Sequence, residues 1–234
     1  MADFSWSTVV YILGGVGMTS VLIISAMLIG LAIGTVMASV QVYGPAWSGR
    51  MVSLYVWFFR GVPILVLMFL FHFGLAGLVE EAYLYFFKTR LRIPPLASAI
   101  TVLGLCSAAY QSQIFRGAMQ SIPAGQLKAA KALGMSGPQA VRVIILPQVF
   151  RISIPAWSNE YSIMLKDSAI AFVIGVSEIM SRFKAVATTT HRHLLMYILA
   201  GALYFILTWI GVKLLAALYN KIRTPGLAET GPSN

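Results

Sequence analysis

The stretch PAWSNEYSIMLKDSAIAF, residues 155–172, places Ser158, Asn159, Glu160, Ser162, Lys166, Asp167 and Ser168 inside an otherwise apolar run. A charge at a bilayer centre costs about 2.5–3.5 kcal/mol even on the lenient scale. These side chains must therefore face protein or a water-filled cavity. At 100° per residue, Glu160 and Asp167, seven apart, share one helix face, and Asn159, Ser162 and Lys166 form an adjacent one. A buried carboxylate such as Glu160 suits a guanidinium or ammonium partner, which would also offset its own desolvation. The competing roles are packing, with Lys166 and Asp167 neutralising neighbouring elements, and carriage of a proton or sodium ion by Glu160, Lys166 and Asp167.

A second unusual segment is AGQLKAAKALGMSGPQAVRVIILPQ, residues 124–148, which carries Lys128, Lys131 and Arg142 and no acid. QLKAAKAL is a strong helix former. Gly134 follows it where a helix ends in a left-handed residue. Ser136 with Gln139 three residues on makes a capping box, and Pro138 fits a first helical turn. A second short helix, QAVRVIIL, is expected to end before Pro147. The spacing thus predicts two short helices joined at a Gly–Met–Ser corner. Such a knob is either a connector or a docking element. Ala129, Ala130, Ala132 and Gly134 would admit another surface closely, and the bases would favour an acidic rim.

Other chemistry finds little support. Cys106 is alone in an apolar run, so it forms no intramolecular disulfide and no cysteine metal site, and it reads as a small buried hydrophobe. His72, between Phe71 and Phe73, reads as a core or cavity-lining residue. His191 and His193 lie in a polar link, and their spacing alone builds no metal site. The sequence contains no Walker A loop, nucleotide-binding glycine fingerprint or Ser/His/Asp arrangement in motif context. The chain is therefore expected to hydrolyse no ATP itself and to bind no metal or cofactor.

The elements that position these residues follow from composition. Of 234 residues, 59% are hydrophobic and 10% charged, against about 25% charged in a soluble domain. An integral membrane protein is expected. The net charge of +10 comes from 17 Lys+Arg against 7 Asp+Glu. The bases sit at the edges of apolar runs, which suits lipid headgroups and not nucleic acid. One domain, 1–234, is expected to carry spans at about 17–41, 52–79, 93–116, 156–180 and 194–219, with a loop at 120–148. Gly14, Gly15 and Gly17 are taken to break a short interfacial helix from the first span. Pro63 is expected to kink the second span, residues 80–95 to form a polar link, and Pro147 and Pro155 to bracket a short segment. Five spans put the termini on opposite sides. With the N-terminus outside, inner segments hold eight Lys/Arg and outer links six, which favours that orientation weakly.

Residues 125–169, GQLKAAKALGMSGPQAVRVIILPQVFRISIPAWSNEYSIMLKDSA, resemble the signature region of membrane subunits of ATP-binding-cassette importers, in particular the polar amino acid permeases of the histidine/arginine/glutamine type. That family's loop reads E-A-A, three residues, G, then a stretch to I-x-L-P. Ala129, Ala130, Gly134, Ile145, Leu146 and Pro147 stand at matching positions, and RGVPILVLMFLFHFGL (60–75) resembles the family's R-G-T-P-L-L-V-Q segment. The resemblance implies an all-α integral membrane protein of the type I importer permease fold, with about five transmembrane helices and a cytoplasmic coupling loop. It implies that Lys128, Ala129, Ala130, Lys131, Ala132, Leu133, Gly134, Met135 and Ser136 engage a separate ATPase subunit, which holds the ATP and magnesium. Further implied partners are a second permease subunit, alike or different, an extracytoplasmic substrate-binding protein, and a cationic or other polar amino acid. The substrate would lie near Glu160, Asn159 and Ser158, in a multi-pass protein of the bacterial inner membrane with its C-terminus cytoplasmic. The chain departs from the family pattern at Lys128, where the loop glutamate is usual, and at Val62 and Leu67, where threonine and glutamine are usual. Two rival expectations are a self-powered secondary transporter and a non-transporting membrane scaffold.

Overall fold

The computed structural model describes residues 6–222, and within them every element is helical. The expected polar tail beyond 222 lies outside the described residues. The helices, in chain order, are α1 (Trp6–Tyr43), α2 (Ala46–Gly61), α3 (Ile64–Phe87), α4 (Pro95–Ser121), α5 (Ala124–Ala132), α6 (Gly137–Ile174), α7 (Ile179–Thr190) and α8 (His193–Ile222). Four of these, α1, α3, α6 and α8, are long and apolar enough to cross a membrane.

Helix α4 forms the centre of the molecule. Its 27 residues span about 40 Å, more than the ~30 Å hydrocarbon core of a bilayer. Protein surrounds its polar side chains: Ser98, Ser107, Gln111 and Ser112 are all buried. Its main partner is α1, whose buried Ala26, Gly30, Gly34 and Ala38 recur every four residues and form a stripe of small side chains. Without a hydrophobic drive between helices in lipid, such stripes let backbones approach and gain van der Waals contact. At Gly30 the approach is so close that a Cβ would lie 2.5 Å from Gln111 Nε2 and 2.6 Å from Ser107 Oγ.

Several boundaries differ from the sequence reading. Gly14, Gly15 and Gly17 do not break the first helix, and α1 runs unbroken for 38 residues. In lipid every backbone group must be paired internally, so a glycine's weak propensity does not open a helix. Gly14 and Gly15 instead admit α7: a Cβ on Gly15 would lie 2.9 Å from Ile179 Cα, and one on Gly14 would meet the Arg182 guanidinium. Pro63 breaks the chain outright, with Val62 and Pro63 extended between α2 and α3. The second span is thus divided, and its second part reaches Phe87 through Glu80 and Glu81, which the sequence reading placed in a link. There Lys88 turns left-handed (φ 56°), and Glu80 Oε1 accepts the Ile93 N–H at 2.6 Å, strapping the following linker back onto α3.

Pro147 and Pro155 bracket no separate segment, because both lie within α6. The short helix at 137–140 passes through a widened π turn, Val141–Ile145, directly into the long one. Pro147 cannot donate, and its ring would clash with the carbonyl of residue 143. A π turn just before it relieves both problems. The link after α6 contains a helix that the sequence reading missed: α7 buries Ile179, Phe183, Val186 and Ala187 against α1 and α8.

Candidate functional site

The knob folds as its local signals require. Helix α5 ends in a Schellman arrangement. Gly134 is left-handed (φ 85°), its N–H bonds to Lys131 O at 3.0 Å, and Met135 N–H bonds to Ala130 O at 3.1 Å. Ser136 then caps the next helix, its Oγ accepting the Gln139 N–H at 3.4 Å. Gln148 of α6 ties the base together by donating to Gln126 Oε1 at 2.7 Å. Ala130 faces inward and is 2% exposed, whereas Lys128, Ala129, Lys131, Ala132, Gly134 and Ser136 face out. Leu133 stands at the tip, 84% exposed. A large apolar side chain thus stands in the open on a capped corner and adds little to the packing of the fold.

Halfway along α6, Glu160 is 2% exposed. Ser107 of α4 donates to its Oε1 at 3.1 Å, and Gln111 Nε2 donates to Ser107 Oγ at 2.9 Å and to Met27 O of α1 at 3.0 Å. Glu160 is thereby the end of a polar chain that crosses three helices. The absence of a side chain at Gly30 makes the room for it. The other two sequence candidates lie elsewhere on the helix. Asn159 is exposed, and Ser158 donates back to Ile154 O at 3.1 Å while its own carbonyl accepts from Ser162 Oγ at 3.1 Å. Lys166 is exposed and Asp167 half-buried.

Two polar clefts open beside this cluster at the break between α2 and α3. One, of about 260 Å³, is lined by residues that include Arg60, Pro63, Cys106, Tyr110 and Asp167. The other, of about 500 Å³, includes Gln41, Ser53, Arg60, Tyr110, Gln113 and Arg116. Ser158, Asn159 and Glu160 line neither. Cys106 is buried, 3% exposed, as its apolar context predicted. His72 bonds to Ser98 Oγ at 3.0 Å, and no group of metal ligands forms among the described residues.

The sequence reading missed the anchorage of α7. Glu178, fully buried, caps it by accepting the N–H groups of Met180 at 2.8 Å and Ser181 at 2.7 Å, and takes a third bond from Tyr204 Oη of α8 at 2.6 Å. Burial pushes its carboxyl above the ordinary glutamate range, although Tyr204 and the two backbone groups pull the other way. Arg182 reaches α1, donating to Tyr11 O at 2.5 Å with its guanidinium 4.9 Å from the centre of the Tyr11 ring. The recurrence of Ile179, Phe183, Val186 and Ala187 behind an acidic cap was the available signal.

Comparison with known proteins points one way. A family model described as "Binding-protein-dependent transport system inner membrane component" matches residues 30–223. An octopine transport system permease protein, OccM of Rhizobium radiobacter, is 32% identical over 92% of this chain and 87% of its own length. The histidine/lysine/arginine/ornithine transport system permease protein HisM of Escherichia coli K12 is 32% identical over 94% of this chain and 90% of its own. A crystal structure of an amino acid ABC transporter with histidines aligns at a TM-score of 0.75 and 30% identity, covering 91% of this chain and 94% of that one. The inward-facing methionine transporter MetNI shares the fold at a TM-score of 0.62 and 20% identity.

Proposed function

Because the chain belongs to the family of inner membrane components of binding-protein-dependent transport systems, we propose that it is the permease subunit of an ATP-driven importer of cationic or other polar amino acids. Relatives named for octopine and for histidine, lysine, arginine and ornithine support that substrate class. Two permease subunits, alike or different, form the path, and a binding protein delivers the amino acid at the outer face. The termini lie on opposite sides, with the N-terminus outside. Five helices cross the membrane, α4 being the least apolar.

The observation that carries this reading is the capped knob with Leu133 at its tip. An ATPase subunit, which holds the ATP and magnesium, seats the surface from Lys128 to Ser136. Closure of two such subunits on ATP rocks the helices, so that a site in mid-membrane opens alternately to either side. The usual loop glutamate is Lys128 here, so the ATPase facing it carries a compensating acid. Glu160, with Asn159 and Ser158 on the adjoining helix surface, contributes to the substrate site.

The test is purification in mild detergent with mass spectrometry of co-eluting subunits, followed by cross-linking from a cysteine placed at Ala132. A stoichiometric ATPase joined to that cysteine during turnover is expected. A cysteine that reacts with an impermeant reagent from the outer medium, or that joins no ATPase, would overturn the reading.

A further inference from the structure

The smaller cleft beside the α2–α3 break holds an arginine and an aspartate that do not pair with each other. Arg60 and Asp167 both line its ~260 Å³. Neither forms an ion pair or a hydrogen bond among the described residues. The Arg60 guanidinium is held over the Tyr110 ring, 4.8 Å from its centre. That contact fixes its position yet leaves its five N–H donors for a ligand. Opposite charges at this depth ordinarily meet each other, since an unpaired one is costly. Here they line the same small cavity without meeting.

Two further features give the cleft a direction. Residues 61–63, where the second span is interrupted, form part of its wall, together with Ile64, the first residue of α3. Half-helix N-termini at such interruptions favour anionic groups. The larger cleft, continuous through Arg60, Gly61 and Tyr110, adds Arg116, whose Nε is buried without a hydrogen-bond partner among the described residues. The positive side therefore surrounds Arg60, and the negative side is Asp167.

From this arrangement we infer that Arg60 and Asp167 clamp the two ends of a zwitterion, the α-carboxylate on Arg60 and the α-ammonium on Asp167. The inference rests on the transport reading above and deepens it. The backbone groups common to all α-amino acids are recognised at the helix break, which leaves the side chain of the substrate to the neighbouring Glu160 cluster. A carboxylate bound bidentately by a guanidinium is a strong, geometry-selective contact, and the cleft supplies the opposite charge for the neighbouring ammonium.

The experiment uses the complete complex of permease, ATPase and binding protein in nanodiscs. ATP hydrolysis stimulated by L-arginine, L-histidine, L-glutamine and L-glutamate identifies the active amino acid. Direct binding of that amino acid, its methyl ester and its N-acetyl derivative is then measured on the permease–ATPase complex without the binding protein. The wild type is expected to prefer the free amino acid over both derivatives by at least tenfold. Arg60→Gln removes the preference over the methyl ester, Asp167→Asn removes the preference over the N-acetyl compound, and Arg60→Lys recovers part of the first. Co-elution of every variant with the ATPase shows that it is folded. Should Arg60→Gln fail to assemble, Arg60→Lys and Asp167→Asn decide the matter by the same preference ratios. A wild type that responds to an amino acid while the variants keep both preferences overturns the clamp alone. A wild type that no amino acid stimulates overturns the transport reading and the clamp with it.

Discussion

Ser107 on α4 donates to Glu160 on α6 at 3.1 Å, and this bond is the direct polar link between the central helix and the buried carboxylate. Ser107 is itself held by Gln111, whose Nε2 donates to its Oγ at 2.9 Å. Removing Ser107 leaves a buried acceptor unmet, which costs about 1–3 kcal/mol. Ser107→Ala is expected to lower the melting temperature of the detergent-solubilised complex, and Ser107→Ala combined with Glu160→Gln to recover part of the loss. Glu160→Gln alone is expected to weaken ATPase stimulation by arginine, lysine or histidine selectively. Unchanged stimulation by those substrates would remove Glu160 from the substrate site.

Gly30 marks the tightest approach of α1 to α4. Gly30→Ala places a methyl group against Gln111 and Ser107, and overpacking of this kind costs about 1–3 kcal/mol. Gly17→Ala meets nothing within 4 Å on the same helix and serves as the control. Thermal melts of the two variants are expected to separate clearly, with Gly17→Ala close to the parent.

Leu133 is 84% exposed and contributes little to the fold. Leu133→Asp is therefore expected to leave the melting temperature within a degree or two while reducing substrate-stimulated ATP hydrolysis at least tenfold. Gly134→Ala behaves differently, because a left-handed backbone penalises any Cβ by about 1–2 kcal/mol. It should lower stability at the knob, read as faster amide exchange in residues 124–140.

Glu178 predicts a pH dependence of stability. Its carboxyl titrates above the ordinary range in the folded chain because it is buried. Its contribution to stability is thus fully present below the unfolded glutamate value of about 4.3 and is lost as pH rises through the higher folded value. Melting temperatures of the parent and of Glu178→Gln, taken from pH 5 to pH 8, should show a fall in the parent that is smaller in the variant. Parallel curves would mean that Glu178 keeps its charge throughout this range.

The knob was legible in the sequence because its signals are local: a helix former, Gly134, then Ser136 with Gln139. The apolar spans were legible for the same reason. Glycine and proline inside them were not, because each has two meanings that only packing separates. Gly14 and Gly15 accommodate a neighbour and do not end a helix, and Pro155 sits inside one. Helix α7 was hidden because residues 156–180 read as one span, which swallowed its cap. The cleft at Arg60 could not be read at all. It exists only because the break at Val62–Pro63 sets α2 and α3 against α4 and the far end of α6.

Helix α6 joins the knob to Glu160 and Asp167 as one continuous element, yet its stiffness is uneven. Pro155 offers no N–H to the carbonyl one turn earlier, and the π turn at Val141–Ile145 adds a wider winding just before Pro147. Bending is thereby concentrated below Pro155, close to the knob. Above it, Glu160 and Asp167 ride on an uninterrupted stretch and keep a fixed spacing, so under the proposed mechanism a push from below would swing both carboxylates together about a pivot near Pro155.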